Sequence, residues 1–527
     1  MADRDLQVAD PERIVILRRA RNSGEDPASE IKRPWASRFE LKTITPIACV
    51  FVATLLLASC RSSDPGDEGL EACRIAGVDR EVKCGVVRMP EDPDSPSSRT
   101  IEVRFAVVPA VARNKQPDPV FVFAGGPGQA ATNVARQVMP VLADLNARRD
   151  LVFIDQRGTG RSNPLECDVD ERSVVSALEP EQQLSRLGPC LKALPADLRQ
   201  YATWIAVRDF EAIRALLRAE KVNLWGASYG TRAALEYMRQ YPTRVRTAVL
   251  DGVAPPDMTL PVSFALDAEA ALNSLAAGCA RDERCRTRYP DFDQTVSALL
   301  KRAESGIDIR IPHPLTGEIE SFRLDRKMLA SLLRAPLYVP QLSSLLPYAI
   351  AEAGRGDFTA LVALSAAISS GVKENFAVGM HFAVICAEDM PRIDTTAPSQ
   401  VSGARFGSAF AELYRQACRL VPSRAVPPEF YSVPASKVPV LIFSGGLDPA
   451  TPPHHGDSVA QRLGNAKHII APNLGHGVSA QGCAPMLVSR FVRDATFERI
   501  DGNCLAQIPA PGFFVAINPT AAPATKR

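Results

Sequence analysis

The sequence predicts an α/β fold with a mostly parallel central sheet and a large, mainly helical lid inserted between two of its strands. Short β-branched runs alternate with helix-spaced apolar patterns over residues 119–250. The alternation stops at Pro255-Pro256 and resumes at residue 438, after roughly 180 residues of different character.

Residues 82–89 and 100–108 are β-branched and partly alternating, and turn-forming residues 90–98 join them, so both are predicted strands. Residues 119–124 (PVFVFA) and 150–154 (DLVFI) are short buried strands, each running into a turn. Residues 206–220 set Val207, Phe210, Ile213, Leu216 and Leu217 at helical spacing, ahead of a strand at 222–225. A helix at 231–239 and a strand at 246–250 follow. Strands alternating with helices imply parallel pairing with both sheet faces covered.

The middle of the chain is predicted as helices at 263–277, 292–305, 326–334, 341–352, 359–369 and 407–417, with one hairpin over 307–324. Strands return at 438–443 (VPVLIF) and 466–470 (AKHII), and the Pro- and Ala-rich tail from Ile508 is predicted to run extended over the surface. The expected organisation is therefore a leader over 1–60, a first part of the core over 61–255, the lid over 256–435, and the rest of the core with the tail over 436–527. A lid so placed covers the edge at the carboxyl ends of the strands, where open α/β sheets hold their sites.

Residues 47–58 (IACVFVATLLLA) form an apolar run too short to span a bilayer comfortably. Lys32, Arg33, Arg38 and Lys42 precede it, and Leu57-Ala58-Ser59-Cys60 ends it. A positive flank, a short apolar stretch and small residues predict an export signal. The ending resembles the lipobox of bacterial lipoproteins, which implies lipidation at Cys60. The expected location is then the bacterial cell envelope or the exterior, with a membrane reached only through that lipid.

Setting aside Cys49 and Cys60 leaves ten of the 12 cysteines, an even number suited to an oxidising compartment. They fall as neighbours along the chain: Cys73 with Cys84, Cys167 with Cys190, Cys279 with Cys285, Cys386 with Cys418, and Cys483 with Cys504. Neither CxxC nor HExxH spacing occurs, so no metal site is expected, and nothing calls for a cofactor. A formal net charge of only +2 gives no reason to expect nucleic acid as a partner.

The chemistry concentrates in loops that follow strands. Gly226-Ala227-Ser228-Tyr229-Gly230 is a GxSxG sequence between a strand and a helix, which would expose Ser228 on a sharp turn. A serine hydroxyl needs a base to take its proton, and the base needs an orienting acid. Asp448 follows one strand in SGGLDP, and His476 follows the next in NLGHG. Of the six histidines, His313 and His381 precede Asp448, His454 and His455 lie too close to it, and His468 is inside a strand. His476 alone keeps the order Ser, Asp, His. An oxyanion would be met by the backbone N–H groups of Tyr229 and of Gly126 in Gly125-Gly126-Pro127-Gly128. Residues 155–162 (DQRGTGRS) read as a hydrogen-bonded structural turn.

Taken together, GGPG, DQRGTGRS, GASYGTR, SGGLDPATP and NLGHG resemble the proline iminopeptidase and tripeptidyl aminopeptidase group of α/β-hydrolases, over residues 82–476. The resemblance implies an α/β-hydrolase fold and a triad of Ser228, Asp448 and His476. It also implies a peptide substrate whose free α-ammonium is held by lid carboxylates, here Glu388 and Asp389 in CAED. Ala124 stands before GGPG, where proline iminopeptidases often have His, which weakens an expectation of proline specificity. The expected activity is a serine exopeptidase acting near a free N-terminus. The alternatives are an esterase or amidase with the same machinery, and a non-catalytic surface binding lipoprotein.

Overall fold

The computed structural model describes residues 69–167, 180–314, 316–372, 376–395, 405–407 and 409–515. The leader with Cys60 and the tail beyond residue 515 lie outside them. The strands in chain order are β1 (Glu71–Cys73), β2 (Val82–Pro90), β3 (Thr100–Val108), β4 (Val120–Phe123), β5 (Leu151–Ile154), β6 (Val222–Ala227), β7 (Val245–Asp251), β8 (Ile307–Pro312), β9 (Ile319–Leu324), β10 (Val440–Gly445) and β11 (Ala466–Ala471). Nine of them form one sheet in the order β1-β2-β3-β5-β4-β6-β7-β10-β11. From β5 to β11 every neighbouring pair is parallel, and β1 to β3 add an antiparallel edge.

Alternation along each central strand feeds two cores. Phe121 and Phe123 of β4 pack with Leu224, Leu250 and Ile442 against the helices Thr203–Leu216 and Tyr229–Gln240. Val120 and Val122 face the other way, with Phe153, Trp225, Leu441 and Phe443, against Ala135–Asn146 and Ala484–Asp494. Burial on both faces explains why these strands read as unbroken apolar runs.

Between β7 and β10 the chain leaves the sheet and builds a separate helical core around Leu272, Val296, Leu329, Leu333, Ile350 and Phe358. The β8–β9 hairpin belongs to this insertion. The helix expected over 341–352 is two helices, Pro340–Ser343 and Leu346–Gly354, each with proline in its first turn. Proline lacks the N–H that would continue a preceding helix, so Pro347 starts a new one. Val378–Glu388 is a further helix that no apolar stripe announced, because most of its residues are buried and it presents no polar face.

Disulfides join Cys73–Cys84, Cys167–Cys190, Cys279–Cys285, Cys386–Cys418 and Cys483–Cys504. Among the described residues no helix is long and apolar enough to cross a membrane.

Candidate active site

Ser228 occupies the turn between β6 and the helix Tyr229–Gln240, with φ 54° and ψ −125°. A positive φ at a non-glycine residue is strained, and strain of this kind persists where the surroundings enforce it. Here they do. A Cβ at Gly230 would lie 2.2 Å from the carbonyl oxygen of Phe123 in β4, and one at Gly226 would lie 2.4 Å from that of Gly230. Only glycine permits so close a crossing, and the serine between them is driven outward. The Ser228 N–H donates to the carbonyl oxygen of Asp251 at 2.9 Å. Tyr229 is the first residue of the helix, where backbone N–H groups have no partner within the helix. Its buried side-chain hydroxyl bonds Thr203 Oγ1 at 2.6 Å and accepts from Gln156 Nε2 at 2.9 Å.

The GGPG loop backs onto the serine. A Cβ on Gly125 would lie 3.4 Å from Ser228 Cβ, and Gly126 and Gly128 have φ of +110° and +118°. The loop is buttressed by the insertion. The Ala377 N–H donates to the Gly128 carbonyl at 2.9 Å, and His381 Nδ1 meets the Pro127 carbonyl at 3.0 Å. His381 is buried, and burial lowers its pKa to about 4, against the upward pull of the Pro127 carbonyl. The ring is therefore neutral at physiological pH. A neutral ring facing a carbonyl donates from Nδ1, so Nε2 accepts from the Tyr414 hydroxyl at 2.8 Å.

Asp448 is buried in the loop after β10. One of its oxygens accepts the N–H groups of Ala450 and Thr451, at 2.8 and 3.0 Å. The other accepts the Thr451 hydroxyl at 2.7 Å and meets His476 Nδ1 at 2.8 Å. His476 follows β11, and its ring lies against Gly252, one residue beyond the Asp251 carbonyl that holds Ser228. The insertion secures it from the other side, where the His476 N–H donates to the Tyr338 carbonyl at 3.2 Å and the two rings meet edge to face. Burial disfavours the imidazolium, but the charge and hydrogen bond of Asp448 outweigh it, and the His476 pKa is raised. The same attraction, with the two backbone N–H groups, overcomes burial at Asp448 and holds its carboxyl below the usual range. The loops carrying Ser228, Asp448 and His476 thus converge at one edge of the sheet.

Asp251 was not anticipated. Its carboxylate is buried and accepts the N–H groups of Val478 and Ser479, at 2.9 and 2.8 Å. Tyr338 and Thr451 also carry no sequence signal, since each works through proximity to His476. The DQRGTGRS turn is structural as expected. Arg157 is fully buried and forms a bidentate pair with Asp209, both contacts 2.7 Å.

Glu388 and Asp389 are placed differently from the expectation of a substrate-facing pair. Both are 0% exposed, and the guanidinium of Arg232 contacts them at 3.3 and 3.0 Å. Glu388 also accepts the Thr203 N–H at 2.6 Å. Burial, with Asp389 adding to it, pushes the Glu388 pKa up to about 7 despite Arg232. The ammonium-like partner of these acids is a residue of the chain itself.

Asp267, His454 and His455 bring three ligand-type side chains together. A cavity of about 620 Å³ lined by Asp118, Arg149 and Arg246 lies at the opposite ends of the strands, away from Ser228.

A parallel sheet with a serine turn and an Asp–His pair at its carboxyl edge is the arrangement of an α/β-hydrolase. The comparisons agree: residues 118–281 match the family described as alpha/beta hydrolase fold, and residues 402–504 match TAP-like protein. The chain has the α/β-hydrolase fold, and its C-terminal part is similar to the TAP-like proteins. It is 29% identical over 245 residues to the serine protease Hip1 of Mycobacterium tuberculosis, a match covering 43% of this chain and 45% of that protein. The chain thus spans less than half the length of that relative. It is 28% identical to carboxylesterase B of the same organism, over 81% of this chain and 86% of that one. With the tripeptidyl aminopeptidase of Streptomyces lividans it shares 26% over 38% of its length and 40% of the relative's.

Proposed function

We propose that the protein is a serine peptidase that cleaves near a free N-terminus through an acyl-enzyme. The observation that carries this reading is the 2.8 Å contact between His476 Nδ1 and buried Asp448, with the ring against Gly252, next to the residue whose carbonyl accepts the Ser228 N–H. With Nδ1 occupied, Nε2 is the nitrogen left to deprotonate Ser228. Ser228 Oγ attacks the scissile carbonyl, and the N–H groups of Gly126 and Tyr229 receive the negative oxygen. The imidazolium, stabilised by Asp448, returns its proton to the departing amine, and water then hydrolyses the ester. Similarity to a serine protease and to a tripeptidyl aminopeptidase supports peptides as the substrate class.

Peptidyl p-nitroanilides with free and with acetylated N-termini test this, against p-nitrophenyl esters. Preference for the free amine is the expected result. Equal turnover of blocked substrates would remove the N-terminal reading. A fluorophosphonate should label the wild type and not Ser228→Ala. Esterase activity is the second reading, favoured by the longer match to carboxylesterase B. It predicts efficient ester turnover with little on amides.

Export to the bacterial cell envelope belongs to the same proposal. Five disulfides suit an oxidising compartment. Cys60→Ser should release the protein from membranes, and unchanged partitioning would count against lipidation.

A further inference from the structure

We propose that Asp267, His454 and His455 form a binding site for one divalent transition-metal ion of the zinc class, joining the helical insertion to the sheet domain. Asp267 lies on the insertion helix Val262–Arg281. The histidines open the helix Pro453–Leu463, which follows the Asp448 loop.

The geometry separates this arrangement from a simple hydrogen bond. His455 Nε2 lies 3.0 Å from one carboxylate oxygen of Asp267, and His454 Nε2 lies 3.7 Å from the other. The second distance is too long for a hydrogen bond. Tetrahedral zinc with ligands at about 2.0–2.2 Å sets its donor atoms roughly 3.3–3.6 Å apart, between these two values. Side chains one position apart on a helix normally diverge by about 100°. Here the two imidazole rings lie 3.9 Å apart and both turn Nε2 toward one carboxylate. Two imidazoles and a carboxylate make a ligand set suited to zinc, cobalt and nickel. Asp267 is buried while the His454 side chain is 65% exposed, so the ion has an entry path and a face for a water ligand. With 188 positions between Asp267 and His455, no local spacing motif could reveal the site.

The test uses the full chain without a histidine tag, stripped with EDTA and dialysed. Zn²⁺ alone is titrated by calorimetry, and Co²⁺ by visible absorbance. The expected result is one equivalent bound, with a rise in thermal midpoint. His454→Gln, a change at an exposed position that leaves the His455–Asp267 bond in place, should weaken binding at least tenfold and abolish the rise. His476→Ala should bind as the wild type does, which separates this site from the ring beside Ser228. Absence of stoichiometric binding, or binding undiminished in His454→Gln, would overturn the proposal and leave Asp267–His455 as a hydrogen bond alone. Hydrolysis is not read in any arm, so the outcome is independent of the proposed peptidase activity.

Discussion

Asp251 holds Ser228 through its backbone and the His476 loop through its side chain. Its carbonyl oxygen accepts the Ser228 N–H, and its carboxylate accepts the N–H groups of Val478 and Ser479. One residue at the end of β7 therefore sets both loops of the proposed proton transfer. Asp251→Asn replaces one acceptor oxygen with a donor facing an N–H. The expected effect is a fall in kcat of about 10- to 100-fold, an order expected for misplaced catalytic groups, with a smaller change in KM. Steady-state kinetics on a peptidyl p-nitroanilide, with a melting curve to show that the variant folds, check it.

Asp448→Asn should leave the fold in place and lower kcat by about 10⁴, because the amide favours the wrong imidazole tautomer. Fluorophosphonate labelling should slow in parallel.

The pH profile carries a sign. His476 acts as a base only when neutral, and Asp448 holds its pKa above the ordinary imidazole value. Activity should therefore fall on the acid side with a midpoint above 6.5, the unperturbed value for histidine. Asp448→Asn should move that midpoint down. A kcat/KM profile from pH 5 to 9 measures both.

His381 supports, through the Pro127 carbonyl, the loop proposed to receive the oxyanion. His381→Ala should lower kcat by roughly tenfold, less than the 100- to 1000-fold typical of losing an oxyanion donor itself. Tyr414→Phe, which removes only the outer hydroxyl, should have a smaller effect of the same sign.

The ion cluster of Arg232, Glu388 and Asp389 predicts a pH-dependent stability. Glu388 has a folded pKa of about 7, above the ordinary glutamate value of about 4.5. The unfolded chain loses this proton first, so the residue's contribution is fully present below about pH 4.5 and is lost as pH rises through about 7. Glu388→Gln removes that loss. Its thermal midpoint relative to wild type should be higher at pH 7.5 than at pH 5. Arg232→Met takes the cation from buried Glu388 and leaves Asp389 only Arg392, 3.4 Å away, and should cost about 3–5 kcal/mol.

The sheet was legible because buried parallel strands leave compact apolar runs, and the Ser228 turn because glycines mark where two backbones cross. The order of Ser228, Asp448 and His476 followed from loops placed after strands. What escaped depends on partners far along the chain. CAED shows two acids but not that Arg232, some 156 positions away, reaches them. Asp251 ends an ordinary apolar strand, and half of its role belongs to a carbonyl that every residue has. The helix Val378–Glu388 was missed because burial of nearly all its residues erases the polar stripe by which amphipathic helices are read.

The five disulfides have a distribution with a mechanical consequence. Each closes a loop wholly within the sheet domain or wholly within the insertion, and none stitches one to the other. Oxidation therefore hardens the two halves separately, while the seam over Ser228 is left to contacts such as Tyr338 on His476 and His381 on Pro127. Those contacts are noncovalent, as are the buried ion pairs of Arg232 with Glu388 and Asp389, so reducing the disulfides would loosen each half without touching what joins them.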